Sequence, residues 1–153
     1  MADIVDPSKY FARLPLLIQR AVQKDIPRKV ANKVAQAFRQ NFQTESFFGT
    51  PWKDVKRRTE PRASQVGKAD SRRKILTGRT GNLGRSIKTE VRDGECAVIS
   101  DLEYSAAHNE GTNTAGRGRN TTIPQRQFIG DHEQVDKIIR ETITEAISKA
   151  FKP

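Results

Sequence analysis

Apolar positions gather in separate runs along the chain, and the period of each run predicts its element. Near the N-terminus Leu14, Leu16, Leu17, Ile18, Ala21 and Val22 cluster at helical spacing. Pro15 is expected in the first turn of that helix, where its missing N–H costs nothing. Tyr10 and Phe11 precede it and are expected to pack back on the core. A second helix reads more clearly. Ile26, Val30, Val34, Phe38 and Phe42 recur every four residues, with Ala31, Ala35 and Ala37 nearby. Arg28, Lys29, Lys33, Arg39 and Gln40 take the other positions, so the helix is amphipathic over about four turns. Asp25 is the expected N-cap, and Pro27 falls in the first turn.

The period changes at Ser86. Ile87, Thr89 and Val91 alternate on one face, and Asp93-Gly94 is a two-residue hairpin signal. Glu95 to Ser100 returns as a strand, with Cys96 and Val98 on its core-facing side. Tyr104 to His108 fits a short helix or the start of a third strand. Gly111 to Thr122 has no hydrophobic residue larger than Ala and reads as a flexible loop that buries little. Ile123 to Ile129 re-enters the fold. Asp131 followed by Gln134 resembles a capping box. It opens a last helix striped by Val135, Ile138, Ile139, Ile143, Ala146, Ile147, Ala150 and Phe151. The expectation is one α+β domain over residues 1–153. It has two N-terminal helices, a small antiparallel β-sheet built on a hairpin, a C-terminal helix and long mobile loops.

Charge changes the picture between Gln43 and Ser86. Gly49, Pro51, Pro61, Gly67, Gly78, Gly81 and Gly84 break any period there. Eleven Lys or Arg against four Asp or Glu put +7 of the chain's +10 net charge in this stretch. It reads as an extended basic arm, at least partly disordered in the free protein. An excess of that size points to an acidic partner: nucleic acid, a membrane surface or an acidic protein. The run Lys56-Arg57-Arg58 and the run Arg72-Arg73-Lys74 are candidates for DNA-backbone contact. The competing reading is an arm that orders against a neighbouring subunit, and it is preferred because no nucleic-acid-reading motif accompanies the charge. Trp52 is an interface anchor or, on the preferred reading, the residue that pins the start of the arm to the core.

Other chemistry is weakly supported. The spacing of Gly78, Gly81 and Gly84 before Arg85-Ser86 fails the phosphate-loop pattern, which needs a preceding buried strand and a Lys before Ser or Thr. His108, His132 and Cys96 are too few for a zinc site. His132 reads as an exposed first-turn residue, and His108 as a packing residue near Tyr104. A Cys96–His108 nucleophile pair is rejected because a core-facing thiol is inert. One cysteine permits no internal disulfide, which suits a reducing compartment. The N-terminus lacks the pattern of a signal peptide, and no apolar run approaches the length of a membrane span.

The string Ile75-Leu76-Thr77-Gly78-Arg79-Thr80-Gly81-Asn82-Leu83-Gly84-Arg85-Ser86-Ile87 resembles the signature of the phage virion morphogenesis family. Thr80-Gly81, Leu83 and Ser86-Ile87 carry the match. Three further pieces agree in order: Trp52 in its Gly/Pro-flanked turn, the Tyr104…His108…Gly111 segment, and Ile123-Pro124…Arg126…Phe128-Ile129-Gly130. Ser105, Asn109-Glu110, Gln127 and the extra Thr77-Gly78 depart from the family's pattern. The resemblance implies an α+β subunit for tail completion or head–tail joining. It implies a homo-oligomeric ring, often hexameric, partnered by other neck or tail proteins in the virion. It implies no catalysis, cofactor or membrane. Trp52, Thr80, Gly81, Leu83, Tyr104, His108, Gly111, Arg126 and Phe128 are its candidate assembly residues. The alternative is a small basic nucleic-acid-binding protein.

Overall fold

The computed structural model describes residues 7–60, 66 and 72–150, with side chains from 14 to 149. Helix α1 (Pro7–Arg20), a π-helical segment (Ala21–Asp25) and helix α2 (Ile26–Thr44) follow one another without a break. The two expected N-terminal helices are therefore one long helix. Pro15 lies inside α1 and not in its first turn. Asp25 is itself helical, with φ −77° and ψ −42°, and makes no side-chain cap. The cause lies at Pro27. Proline has no N–H to give the carbonyl four residues back, that of Gln23. The Ile26 N–H reaches instead to the Ala21 carbonyl, the longer bond of a π-turn. The freed Gln23 carbonyl accepts from the backbone N–H of Gly94 at 2.9 Å. The proline does not end the helix; it opens an acceptor that a distant turn fills. The side chains of Tyr10 and Phe11 lie outside the described residues.

That turn is the tip of the expected hairpin, β3 (Ile87–Arg92) and β4 (Glu95–Ser100), which pair antiparallel. The register sets Ile87 opposite Ser100, Thr89 opposite Val98 and Val91 opposite Cys96. The hairpin packs on α2, whose buried stripe includes Val30, Val34, Ala35, Phe38 and Phe42. Burial fades along β3, from Ile87 at 1% exposed to Val91 at 38%. Cys96 accordingly does not face the core but is exposed. Its thiol lies beside the Ala31 backbone of α2.

A last helix, Glu133–Ala150, lies along α2 and buries Thr142 and Ala146. Ile138, Ile139 and Ile143 pack half-buried against the core. Lys33 of α2 pairs with Glu145 at 3.1 Å. The N-terminal cap is not Asp131, which is exposed, but His132. Its Nδ1 accepts the Gln134 N–H at 3.1 Å. The imidazole stacks on Phe48 at 4.7 Å and meets Phe47 edge-on at 5.5 Å, so it is half-buried and not the free surface residue expected. Two aromatic neighbours hold the ring where it caps.

The described parts of the basic stretch are packed on the fold. Strands β1 (Ser46–Phe47) and β2 (Thr50–Pro51) make a small hairpin, followed by the helical turn α3 (Lys56–Thr59). A second turn, α4 (Asn82–Arg85), leads into β3. Phe47, Trp52, Ile75 and Leu83 from this stretch join the core. Arg62, Lys68 and the middle of the expected arm, residues 61–65 and 67–71, lie outside the described residues. Tyr104 to His108 resolves as helix: α5 is Ser105–Glu110. The stretch after Gly111 forms β5 (Thr112–Ala115) and β6 (Thr121–Ile123), an irregular antiparallel pair. Its tip, residues 116–120, is exposed, which fits a sequence with nothing large to bury. The helix Glu133–Ala150 is α6. Among the described residues no helix is long and apolar enough to cross a membrane.

Candidate functional site

At the end of α2 the chain turns through Glu45, whose φ of 53° and ψ of 37° are left-handed. Only Gly, Asn and Asp adopt that region readily, so the residue must be held there. Its bonds do so. The Glu45 carbonyl accepts the Trp52 N–H at 2.9 Å. Its carboxylate takes both guanidinium nitrogens of Arg58, at 2.7 and 3.0 Å, and accepts the Ile75 N–H. The fork from Arg58 holds the carboxyl below the usual carboxylate range; burial opposes this, and the Ile75 N–H adds to it. One side chain thus ties both ends of the basic stretch to the helix. Charge-assisted, bidentate geometry of this sort is among the stronger polar contacts in proteins.

Beside it, the segment from Arg126 to Ile129 gathers bonds from the Trp52 and Tyr104–Gly111 motif pieces. Arg126 donates from Nε to the Lys53 carbonyl at 2.8 Å and from a terminal nitrogen to the Asp54 carbonyl at 3.2 Å. Its backbone N–H donates to the His108 carbonyl at 2.8 Å. The Trp52 indole N–H donates to the Gln127 carbonyl at 2.7 Å. Asn109 Oδ1 accepts the N–H groups of Phe128 and Ile129, at 2.9 and 3.0 Å. Buried Asn41 donates to the Phe128 carbonyl and accepts the Phe48 N–H. The Phe128 ring lies 5.2 Å from Phe42, which meets Trp52 edge-on at 5.5 Å. Each such aromatic pair adds roughly 0.5–1.5 kcal/mol beyond its buried area.

Glycines set the approaches. Gly111 has φ +77°, and a Cβ there would stand 2.8 Å from the Gln125 backbone nitrogen, so the α5 end and the 123–125 segment meet only across a glycine. Gly81, at φ +66°, begins α4, and Ser86 at its end donates to the Leu83 carbonyl at 2.7 Å.

Of the candidate assembly residues, Trp52, Leu83, Arg126 and Phe128 are buried within the chain. Gly81, His108 and Gly111 are half-buried, and Thr80 and Tyr104 are exposed. Trp52 does pin the start of the basic stretch. The candidate DNA contacts divide. Lys56 and Arg72 are exposed. Arg57 donates to the carbonyls of Arg73 and Lys74, Arg58 is held by Glu45, and Lys74 donates to the carbonyl and side chain of Gln43. Glu45, Asn41 and Asn109 did not stand out in the sequence. Asn109 carried a signal, as a departure from the family pattern; Glu45 and Asn41 look like any polar residues at a helix end.

Between α3, the 75–83 turn and α5 lies a cavity of about 270 Å³, lined by Arg57, Arg73, Arg126, His108, Tyr104 and Thr80 among others. No Asp or Glu is among the described residues that line it. Burial, and then the neighbouring Arg73 and Arg58, push the Arg57 pKa down. Burial, and then Arg57, do the same to Arg126. Burial, and then Arg126, lower the His108 pKa, which favours the neutral imidazole. No group of His, Cys, Asp and Glu among the described residues has the makings of a metal site.

Comparison with curated proteins and with solved structures finds no match. The sequence model of the phage virion morphogenesis family matches residues 11–148, a span that takes in most of the long helix, every motif piece and nearly all of α6. The chain therefore belongs to the phage virion morphogenesis family, and its role is a structural one in building the virion.

Proposed function

We propose that the protein is a tail-completion subunit that assembles as a ring, near six copies, where the tail meets the head. The observation that carries this reading is α1. Every described side chain from 15 to 20 is exposed, including Leu16 at 69%, Leu17 at 49% and Ile18 at 36%, and Val22 in the π segment follows at 51%. Among the described residues the helix makes extensive contact only with the π segment that continues it. A helix whose apolar side chains are uncovered among the described residues is a liability in a free monomer and an asset in an assembly. A second copy of the chain is the occupant that a ring requires, and a head-to-tail contact closes a ring when its rotation allows.

The test replaces Leu17 and Val22 together by Asp in the parent phage or prophage. Both side chains are exposed, so the subunit should fold as before. Heads and tails should accumulate unjoined when the lysate is viewed by electron microscopy. Joined, infectious particles at the parental level would rule the reading out.

Contact with DNA is a secondary reading, favoured by exposed Lys56, Arg117 and Arg119. It predicts weak duplex binding that falls steeply with salt. Arg57, Arg58 and Lys74 contribute less to it than their charges suggest, because each is already bonded within the chain.

A further inference from the structure

The cavity beside α5 has a chemistry that the ring reading leaves unused. We propose that it is a socket for a single protein carboxylate, the side chain of an Asp or Glu on an acidic segment of an assembly partner. Arg57, Arg73 and Arg126 converge on it with no lining acid among the described residues. Arg57 and Arg126 each donate to backbone carbonyls on one side, and an anion in the cavity would take N–H groups that those bonds leave over. Arg126 is 7% exposed and Arg57 Nε is buried with no hydrogen-bond partner, as is Nδ1 of His108. Buried polar atoms of this kind ordinarily find partners, so these two mark where ligand or linking groups belong. Of the described carboxylates nearby, Glu45 grips Arg58, and Asp54 lies 3.5 Å from Arg58 and accepts the Val55 N–H; both offset part of the Arg57 charge from outside the cavity lining.

Size and lining decide the ligand class. A volume of about 270 Å³ admits a side chain and not a duplex, whose phosphates lie on a rigid rod that cannot reach recessed guanidinium groups. Ile75, Leu76 and Leu83 on the cavity wall suit the aliphatic stem of a Glu. Exposed Tyr104 and Thr80 stand among the lining residues, open to an incoming chain. The inference rests on the assembly reading only in taking the partner to be a virion protein; the cavity's chemistry stands without it.

The test is a titration of the full-length, isotopically labelled protein, followed by amide chemical shifts. The probes are a blocked peptide Ac-Ala-Glu-Leu-NH2, its Gln counterpart and a short DNA duplex. The Glu peptide should shift amides around Arg57, Thr77, His108 and Arg126 saturably. The Gln peptide should bind at least about tenfold more weakly, the loss expected when a charge-assisted bond is removed. Arg57→Gln should weaken the Glu peptide similarly. Because Arg57 also holds the 73–74 backbone, Thr80→Trp provides the second variant, closing the mouth without touching an arginine. Equal binding of the Gln peptide, no saturable shift by the Glu peptide, or displacement of the Glu peptide by duplex at equal concentration would each overturn the proposal. Loss of the ring by Leu17→Asp/Val22→Asp would leave peptide binding intact, which separates this inference from the assembly reading.

Discussion

Glu45 shows how much structure one residue organises. It sits in left-handed backbone, accepts from Trp52, and grips Arg58 and the Ile75 N–H. Glu45→Gln keeps the shape and removes the charge, and should cost about 1.5–3 kcal/mol in urea unfolding at pH 7. The acid dependence follows from the lowered pKa of its carboxyl in the fold. A depressed folded pKa gives stability that is full above the unfolded value, about 4.3 for Glu. That stability is lost as pH falls through the lower folded value. The wild type should therefore lose stability below about pH 4 more steeply than Glu45→Gln. Parallel pH profiles would show that the Arg58 clamp contributes nothing. Gly111→Ala makes a second test at this scale. A Cβ in that conformation, 2.8 Å from the Gln125 nitrogen, should cost at least about 1–3 kcal/mol, read as a lowered melting temperature. Phe128→Ala, at a site 1% exposed, should cost about 3–5 kcal/mol.

Among the elements, the long N-terminal helix and α6 make the frame, and the hairpin docks across it. Ile139→Asp places a charge on the half-buried face of α6 and should destabilise by about 3 kcal/mol or more. A melting curve unchanged by it would mean that α6 does not pack on α2. The apolar stripes of α2 and α6, and the Asp93-Gly94 turn between β3 and β4, were legible because period and turn chemistry act locally. The joint at Ala21–Asp25 was not. Pro27 resembles a helix start, and only the distant Gly94 N–H explains why the helix passes through it. The cap of α6 differs from the expected Asp131 for a similar reason: a sequence pattern offers a capping oxygen, while the stack of His132 on Phe48 is a tertiary contact. In the basic stretch, residue counts gave the charge but not its partners. Arg57, Arg58 and Lys74 spend theirs on carbonyls and on Glu45, so a run that reads as an arm packs at both described ends.

For the whole molecule, the family and its motif pieces were readable at residues 52 to 130, and the structure adds what the pieces do together. Trp52, His108, Asn109 and the Arg126–Ile129 backbone form one hydrogen-bonded hub, so the motifs that look like separate assembly signals largely build the subunit itself. Among the described residues, the exposed apolar side chains of α1 are the surface on which the proposed ring rests. The central claim is that this helix drives self-association into a closed ring. Light scattering behind a size-exclusion column tests it most directly, on the wild type and on Leu17→Asp/Val22→Asp over a wide concentration range. The account predicts a discrete wild-type species near six times the 17.2 kDa chain mass, and a folded monomer for the double variant. A wild-type monomer at every concentration, or an oligomer that the double variant leaves intact, would contradict it.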